Sequence, residues 1–166
     1  MISDGSIADG SVTEGSVTEG SVAPEFALQN QHGEVVRLAD LRGAPAVLVF
    51  YPYAFTGVCS GEMAALQRSL AGFVEAGARV LAISTDTLYA LRVFADQLGL
   101  AFDLLSDFWP HGEVARAYGV FDAGRGCAVR GSFVLDADGR VTWSVRNAIA
   151  DARDIDEHLR AVQAEG

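Results

Sequence analysis

Lysine is missing from this chain: the basic residues are twelve arginines, set against twenty-two acidic residues for a formal net charge of −10. That acidic excess excludes the basic footprint that nucleic acid or an anionic membrane surface requires. Cysteine is scarce too. Cys59 and Cys127 stand far apart, form no Cys-x-x-Cys pair, and are accompanied by only three scattered histidines, His32, His111 and His158. Such a set makes no disulfide framework and lacks the ligand spacing of a zinc site, so no metal is expected. No apolar run approaches the ~20 residues of a membrane span, and the stretch from Ala44 to Phe55 is broken by prolines. The N-terminus has no basic segment leading into an apolar core, and cytoplasmic residence is the expectation. What is present, 166 residues of which half are hydrophobic, suits one domain with a single core.

Residues Gly5 to Val22 repeat every five positions as Gly-Ser-Ile/Val-x-Asp/Glu, the last copy running into Val22-Ala23-Pro24-Glu25-Phe26. One apolar residue in five matches neither a helical nor a strand period. Residues 1–22 are therefore expected to be a disordered acidic Gly/Ser leader, with the folded domain occupying 23–166.

Within that domain, Phe26–Leu28 and Val35–Leu38 flank a polar turn and read as an N-terminal β-hairpin. Ala46–Tyr51 is a continuous apolar run with branched and aromatic residues, the mark of a strand buried on both faces. Met63, Leu66, Leu70, Phe73 and Val74 then recur at helical spacing, predicting one helix from Ser60 to about Val74. A second buried strand at Arg79–Ser84, a helix over Leu88–Leu98 and a short strand at Phe102–Leu105 follow. Next come a helix towards Tyr118, a hairpin around Asp138-Gly139 and a closing helix through Ile155, Leu159 and Val162. This order predicts an α/β fold, a central mixed β-sheet flanked by helices, compatible with the thioredoxin-like arrangement.

Pro52-Tyr53-Ala54-Phe55-Thr56-Gly57-Val58-Cys59 links the first buried strand to the first long helix. Pro52 ends the strand, because proline cannot donate to a ladder, and gives the loop an apolar wall. Cys59 falls at a helix N-terminus, where free N–H groups and the helix dipole favour a thiolate, the reactive form of cysteine. Thr56, three residues earlier, offers a hydroxyl to the sulfur or to an oxygen approaching it. With no lysine available, the cation beside the sulfur must come from arginine, histidine or the backbone. Arg130 is the choice, since it opens the apolar strand Gly131-Ser132-Phe133-Val134-Leu135 and a half-buried guanidinium needs an anion to face. Glu62 either holds that guanidinium from behind or complements the dipole in the first helical turn.

Pro52-x-x-x-Thr56-x-x-Cys59, with Arg130 before Gly-Ser-Phe-Val-Leu-Asp, resembles the two active-site elements of the peroxiredoxins. Phe55-Thr56-Gly57-Val58-Cys59 and Leu105-Ser106-Asp107-Phe108-Trp109-Pro110-His111-Gly112 are most similar to the one-cysteine alkyl hydroperoxide reductase E class. The resemblance runs from about Ala23 to the closing helix. It implies a thiol peroxidase that uses no metal, haem or flavin, in which Cys59 becomes a sulfenic acid while Thr56, Arg130 and backbone N–H groups hold the peroxide oxygens. It also implies an external reductant, mycothiol with mycoredoxin or another low-molecular-weight thiol with a glutaredoxin-like partner. A homodimer formed near the signature loop follows from the same likeness.

Cys127, in the loop before Arg130, has two readings: a cysteine that resolves the sulfenic acid, or a small buried hydrophobe. The position used for resolution in another peroxiredoxin class, five residues after the reactive cysteine, is Ala64. Phe108, Trp109 and His111 either line the mouth of the site or a subunit interface, or pack inward. Asp107 is expected to cap the helix that follows, and His32 and His158 to lie at the surface. The competing function is a redox sensor, whose Cys59 oxidation is relayed to a partner protein. A disulfide oxidoreductase is disfavoured because Cys59-Ser60-Gly61-Glu62 lacks the second cysteine that mechanism needs.

Overall fold

The computed structural model describes residues 17–164. Seven strands form one mixed sheet in the order β2 (Val35–Arg37), β1 (Ala27–Asn30), β5 (Asp103–Ser106), β4 (Arg79–Ser84), β3 (Ala46–Phe50), β8 (Arg130–Leu135) and β9 (Val141–Asn147). β3 runs parallel to β4 and β4 to β5, whereas β8 and β9 return antiparallel. The continuous apolar run of β3 is explained by its position: every one of its residues is buried, because both faces of the sheet are covered.

One face carries α1 (Gly57–Arg68), α2 (Leu70–Glu75), α3 (Leu88–Leu98) and α5 (Ile155–Gln163), packed over Val47, Val49, Tyr51 and Val134. Leu48, Phe50, Phe133 and Leu135 point to the other face, against Tyr118 and Phe121 beside α4 (Glu113–Ala117). This alternation along β3 and β8 follows from the two-residue period of a strand. α3 and α5 begin where side chains cap them: Thr87 accepts from Ala90 N at 3.2 Å and Asp154 from Asp156 N at 2.9 Å.

Three details differ from the sequence reading. The helix expected from Ser60 to Val74 is broken at Ser69, with Leu66 and Phe73 on either side buried in the same layer. A small hairpin, β6 (Phe121–Asp122) and β7 (Cys127–Ala128), lies outside the main sheet and is too short to show a period in sequence. The expected leader lies outside the described residues through residue 16, but residues 17–22 are seated on the domain. Gly20 N donates to Val141 O at 2.7 Å, Val22 bridges Arg140, and Val17 is buried against the sheet. The valine that reads as one apolar residue in five gains a hydrophobic contact that only the folded partner supplies.

Gly131, between Arg130 and Ser132 on β8, has no room for a side chain: a Cβ there would lie 2.6 Å from Val120 Cγ1. Val120 is fully buried and, being β-branched, cannot swing aside. Gly131→Ala is expected to cost about 1–3 kcal/mol, seen as a melting temperature lower by about 3–9 °C.

Candidate active site

The strand-to-helix loop puts Cys59 in the first turn of α1, whose N-cap is Thr56. Pro52 is buried at the end of the strand and Phe55 adopts φ 69°, the one non-glycine residue with positive φ among the described residues. The loop is pinned from β4: Ala54 N donates to Asp86 Oδ2 at 2.9 Å, and Ser84 Oγ donates to the same oxygen at 2.7 Å. Asp86 carries no sequence signal of this role, because it sits on a different strand's exit.

Arg130, at the start of β8, reaches across to the helix. Its Nη1 donates to Cys59 Sγ at 3.2 Å and to Glu62 Oε1 at 2.7 Å, while its Nε donates to Ile149 O at 2.7 Å. Nη2 makes no hydrogen bond among the described residues, leaving one arm of the fork free. Glu62 thus stands behind the guanidinium. Since α1 starts at Gly57, Glu62 is past the first turn, which removes the alternative of dipole complementarity.

Glu62 is itself gripped by a second arginine that the sequence did not single out. Arg153 donates to Glu62 Oε2 from its backbone N (2.7 Å) and Nε (2.9 Å), and to Oε1 from Nη2 (2.7 Å). Burial alone would push the Glu62 carboxyl up, but the bonds from Arg153 and the charge of Arg130 outweigh it and hold it below the usual range. All three side chains are at most 3 % exposed. Two guanidinium groups against one carboxylate leave a buried positive charge that an anionic sulfur would balance. That charge arithmetic is the strongest electrostatic feature of the site.

Thr56 does not face the sulfur in this structure: its hydroxyl donates to Tyr53 O at 3.0 Å. Cys59 itself is fully buried, one residue behind the exposed Val58. Close by, the fully buried Tyr51 hydroxyl is the one buried side-chain polar atom without a hydrogen-bond partner among the described residues, and burial raises its pKa far above the ordinary phenol value.

Cys127 is buried on β7, outside this network, and both cysteines are free thiols. Burial pushes the Cys127 thiol up, against a weaker opposing influence of Tyr53. His158, expected at the surface, is fully buried on α5 beside Trp143, with ring centroids 5.0 Å apart. Asp107 is buried and accepts from Val114 N (3.1 Å) and Ala115 N (2.9 Å), so it does cap α4. Tyr53 and Phe55 are exposed on the loop and Phe108 and Trp109 are exposed after β5, and the Tyr53 hydroxyl donates to Arg125 O at 2.9 Å. No group of metal-binding side chains occurs among the described residues, and no helix among them is long and apolar enough to cross a membrane.

Burial lowers the His158 pKa from 6.5 to about 4. Between these values the unfolded chain binds the proton and the folded one does not, so stability falls as pH drops from about 6.5 towards 4. Asp107, raised by burial to about 6, has the opposite sign over much of that window. The isolating measurement is therefore a difference. The stability lost between pH 7 and pH 4.5, read from urea midpoints, should be smaller in His158→Gln than in the unsubstituted protein by roughly 2–3 kcal/mol.

The model of the AhpC/TSA family matches residues 20–144. Alkyl hydroperoxide reductase E of Mycobacterium tuberculosis is 44% identical over 133 residues, covering 80% of this chain and 87% of that protein. Peroxiredoxin tpx1 of Schizosaccharomyces pombe is 35% identical over 152 residues, covering 86% and 78% respectively. Among solved structures, the reduced 2-Cys peroxiredoxin of Plasmodium vivax superposes with a TM-score of 0.80 at 27% identity, covering 88% of this chain and 80% of that one. The peroxidoxin BcpB of Mycobacterium tuberculosis gives 0.78 at 29% identity, covering 89% and 97%.

Proposed function

The chain belongs to the AhpC/TSA family, whose peroxiredoxins are thiol-dependent peroxidases, and we propose that Cys59 is its peroxide-reducing sulfur. The Cys59 thiolate attacks one oxygen of hydrogen peroxide or an organic hydroperoxide in line with the O–O bond. That bond breaks, the departing oxygen takes a proton to leave as water or an alcohol, and the sulfur is left as a sulfenic acid. The observation carrying this reading is the buried contact of Arg130 Nη1 with both Cys59 Sγ and Glu62.

Arg130 supplies a fixed cation to the sulfur, and its unused Nη2 is a donor for the peroxide oxygen on which charge grows. Because that donor is held before the peroxide arrives, little reorganisation accompanies the reaction. The charge that grows on the departing oxygen also has to be stabilised, so the donors act on the peroxide as well as on the sulfur. Thr56 joins the donors by turning its hydroxyl from Tyr53 O towards the incoming oxygen. Because Cys59 has no exposed surface while Phe55, Thr56, Gly57 and Val58 just before it are exposed, access requires a local opening next to the sulfur.

The sulfenic acid then condenses with an external low-molecular-weight thiol, releasing water and leaving a mixed disulfide that a second thiol, or a mycoredoxin- or glutaredoxin-like protein, reduces. Burial of Cys127 and its raised pKa support this route over resolution within the chain. Mass spectrometry with sulfenic-acid trapping after one equivalent of peroxide tests the reading. Sulfenic acid at Cys59 supports it, a Cys59–Cys127 disulfide would transfer resolution to this chain, and an unmodified Cys59 overturns it. Sustained peroxide consumption with added thiol separates an enzyme from a redox sensor, which would be oxidised once and stop.

The exposed aromatic residues Phe55, Phe108 and Trp109 fit burial by a second copy of the chain. Sedimentation should report a homodimer, and Trp109→Glu should shift it to monomer.

A further inference from the structure

We propose that Ser132 and His158 are positioning residues for the peroxidase reaction, a buried pair that sets the side chain of Arg153 and through it the grip on Arg130. The inference rests on the reading of Cys59 and Arg130 given above.

Ser132 lies two positions after Arg130 on β8, hence on the same face of the strand, and both it and His158 have no exposed surface. Its neighbours on that face, Val134 and Val49 among them, are apolar. A hydroxyl and an imidazole are costly in such a layer unless each finds a partner. Each does. Arg153 Nη1 donates to Gly131 O at 2.9 Å and to Ser132 Oγ at 3.0 Å. His158 Nε2 lies 2.7 Å from the same Oγ, and its Nδ1 lies 2.9 Å from Asp154 O.

The donor and acceptor inventory fixes the direction of these bonds. A guanidinium only donates and a peptide carbonyl only accepts. The proton facing Asp154 O therefore belongs to His158 Nδ1, which leaves Nε2 bare in the neutral ring. Ser132 accepts from Arg153 and passes its own proton to Nε2. The bonds run one way, from Arg153 through Ser132 and His158 to the carbonyl of Asp154, the residue covalently next to Arg153. This closed ring ties the Arg153 side chain to β8 and to the start of α5, and from there Arg153 clasps Glu62 by three bonds while Glu62 receives Arg130.

If the ring only satisfied a spare arginine donor, replacing both partners by apolar groups would leave the chemistry untouched. If it positions Arg153, the reaction slows even in a stable protein. Removing Ser132 and His158 together leaves neither unpaired, while Arg153 Nη1 keeps Gly131 O and Asp154 O keeps Glu157 N, so the double variant Ser132→Val/His158→Leu is expected to fold.

The test is stopped-flow oxidation of Cys59 by hydrogen peroxide, normalised to titrated thiol, with the thermal midpoint measured in parallel. The double variant should react about tenfold more slowly at a midpoint close to that of the unsubstituted protein. Ser132→Thr and His158→Gln, which keep a hydroxyl and an acceptor, should each react within about threefold of it, a rescue a purely structural role would not produce. An unchanged rate in the double variant overturns the proposal, as does slowing in Ser132→Thr and His158→Gln equal to that in the double variant. An unsubstituted protein that does not react with peroxide at all would instead overturn the reading of Cys59.

Discussion

Cys59→Ser is expected to lower peroxide consumption by at least about 10⁴-fold, to the background of peroxide with the added thiol. Serine at this position is nearly isosteric, so the loop, α1 and the Arg130–Glu62–Arg153 cluster remain. What disappears is the sulfur, the one atom of the cluster that a peroxide can oxidise to a sulfenic acid. The accompanying variants grade the effect. Arg130→Met keeps the sulfur and removes the fork, a loss comparable to deleting a preorganised donor, about 10²–10³-fold. Cys127→Ala should leave the first oxidation within about twofold, because Cys127 lies outside the hydrogen-bonded cluster and acts on no group in it. Single-turnover stopped flow for all three, with dimedone labelling to identify the oxidised residue, checks the series. Residual activity in Cys59→Ser that vanished in Cys127→Ala would reverse the assignment.

Glu62→Ala is the change with the largest expected effect on stability, about 3–5 kcal/mol. The carboxylate accepts four hydrogen bonds from two arginines, all within a volume closed to water. Alanine would leave two guanidinium groups facing each other across a cavity, each with donors unpaired. The conservative Glu62→Gln fails for a related reason. Its amide nitrogen would point a donor at Arg153, and the cluster would keep both positive charges with no carboxylate to offset them. Urea midpoints should fall in both variants, and the rate of Cys59 oxidation should fall with them, since Arg130 is no longer held at the sulfur. A midpoint unchanged in Glu62→Ala would show that water enters the site and solvates the arginines, contrary to their burial.

Much of this molecule was legible before folding. β3 and β4 announced themselves through unbroken apolar runs, α3 and α5 through their apolar periods, and the β8–β9 hairpin through Asp138-Gly139. The meeting of Arg130 with Cys59 was legible from its place: in a chain without lysine the cation is an arginine, and this one stands at the mouth of an apolar strand. The break at Ser69 was not legible, because the apolar period continues across it. Nor was the seating of residues 17–22, whose lone valine per five residues has no meaning until Phe133 and its neighbours form a floor beneath it.

The primary structure by itself pointed to Cys59, to the strand-to-helix loop that carries it and to Arg130 as its neighbour, because the loop and the start of the β8 strand are each written in short runs of residues. Only the tertiary structure decided the rest. Arg153, Ser132, Asp86 and His158 lie on separate elements far from Cys59 in the chain, and nothing in their flanking residues distinguishes a surface arginine or histidine from a buried one. Packing α5 and β8 against α1 removes water from Arg153, Ser132 and His158 at once. With water gone, Arg153 and Arg130 meet on one carboxylate, Glu62, and the backbone carbonyls of Gly131 and Ile149 take one further donor from each.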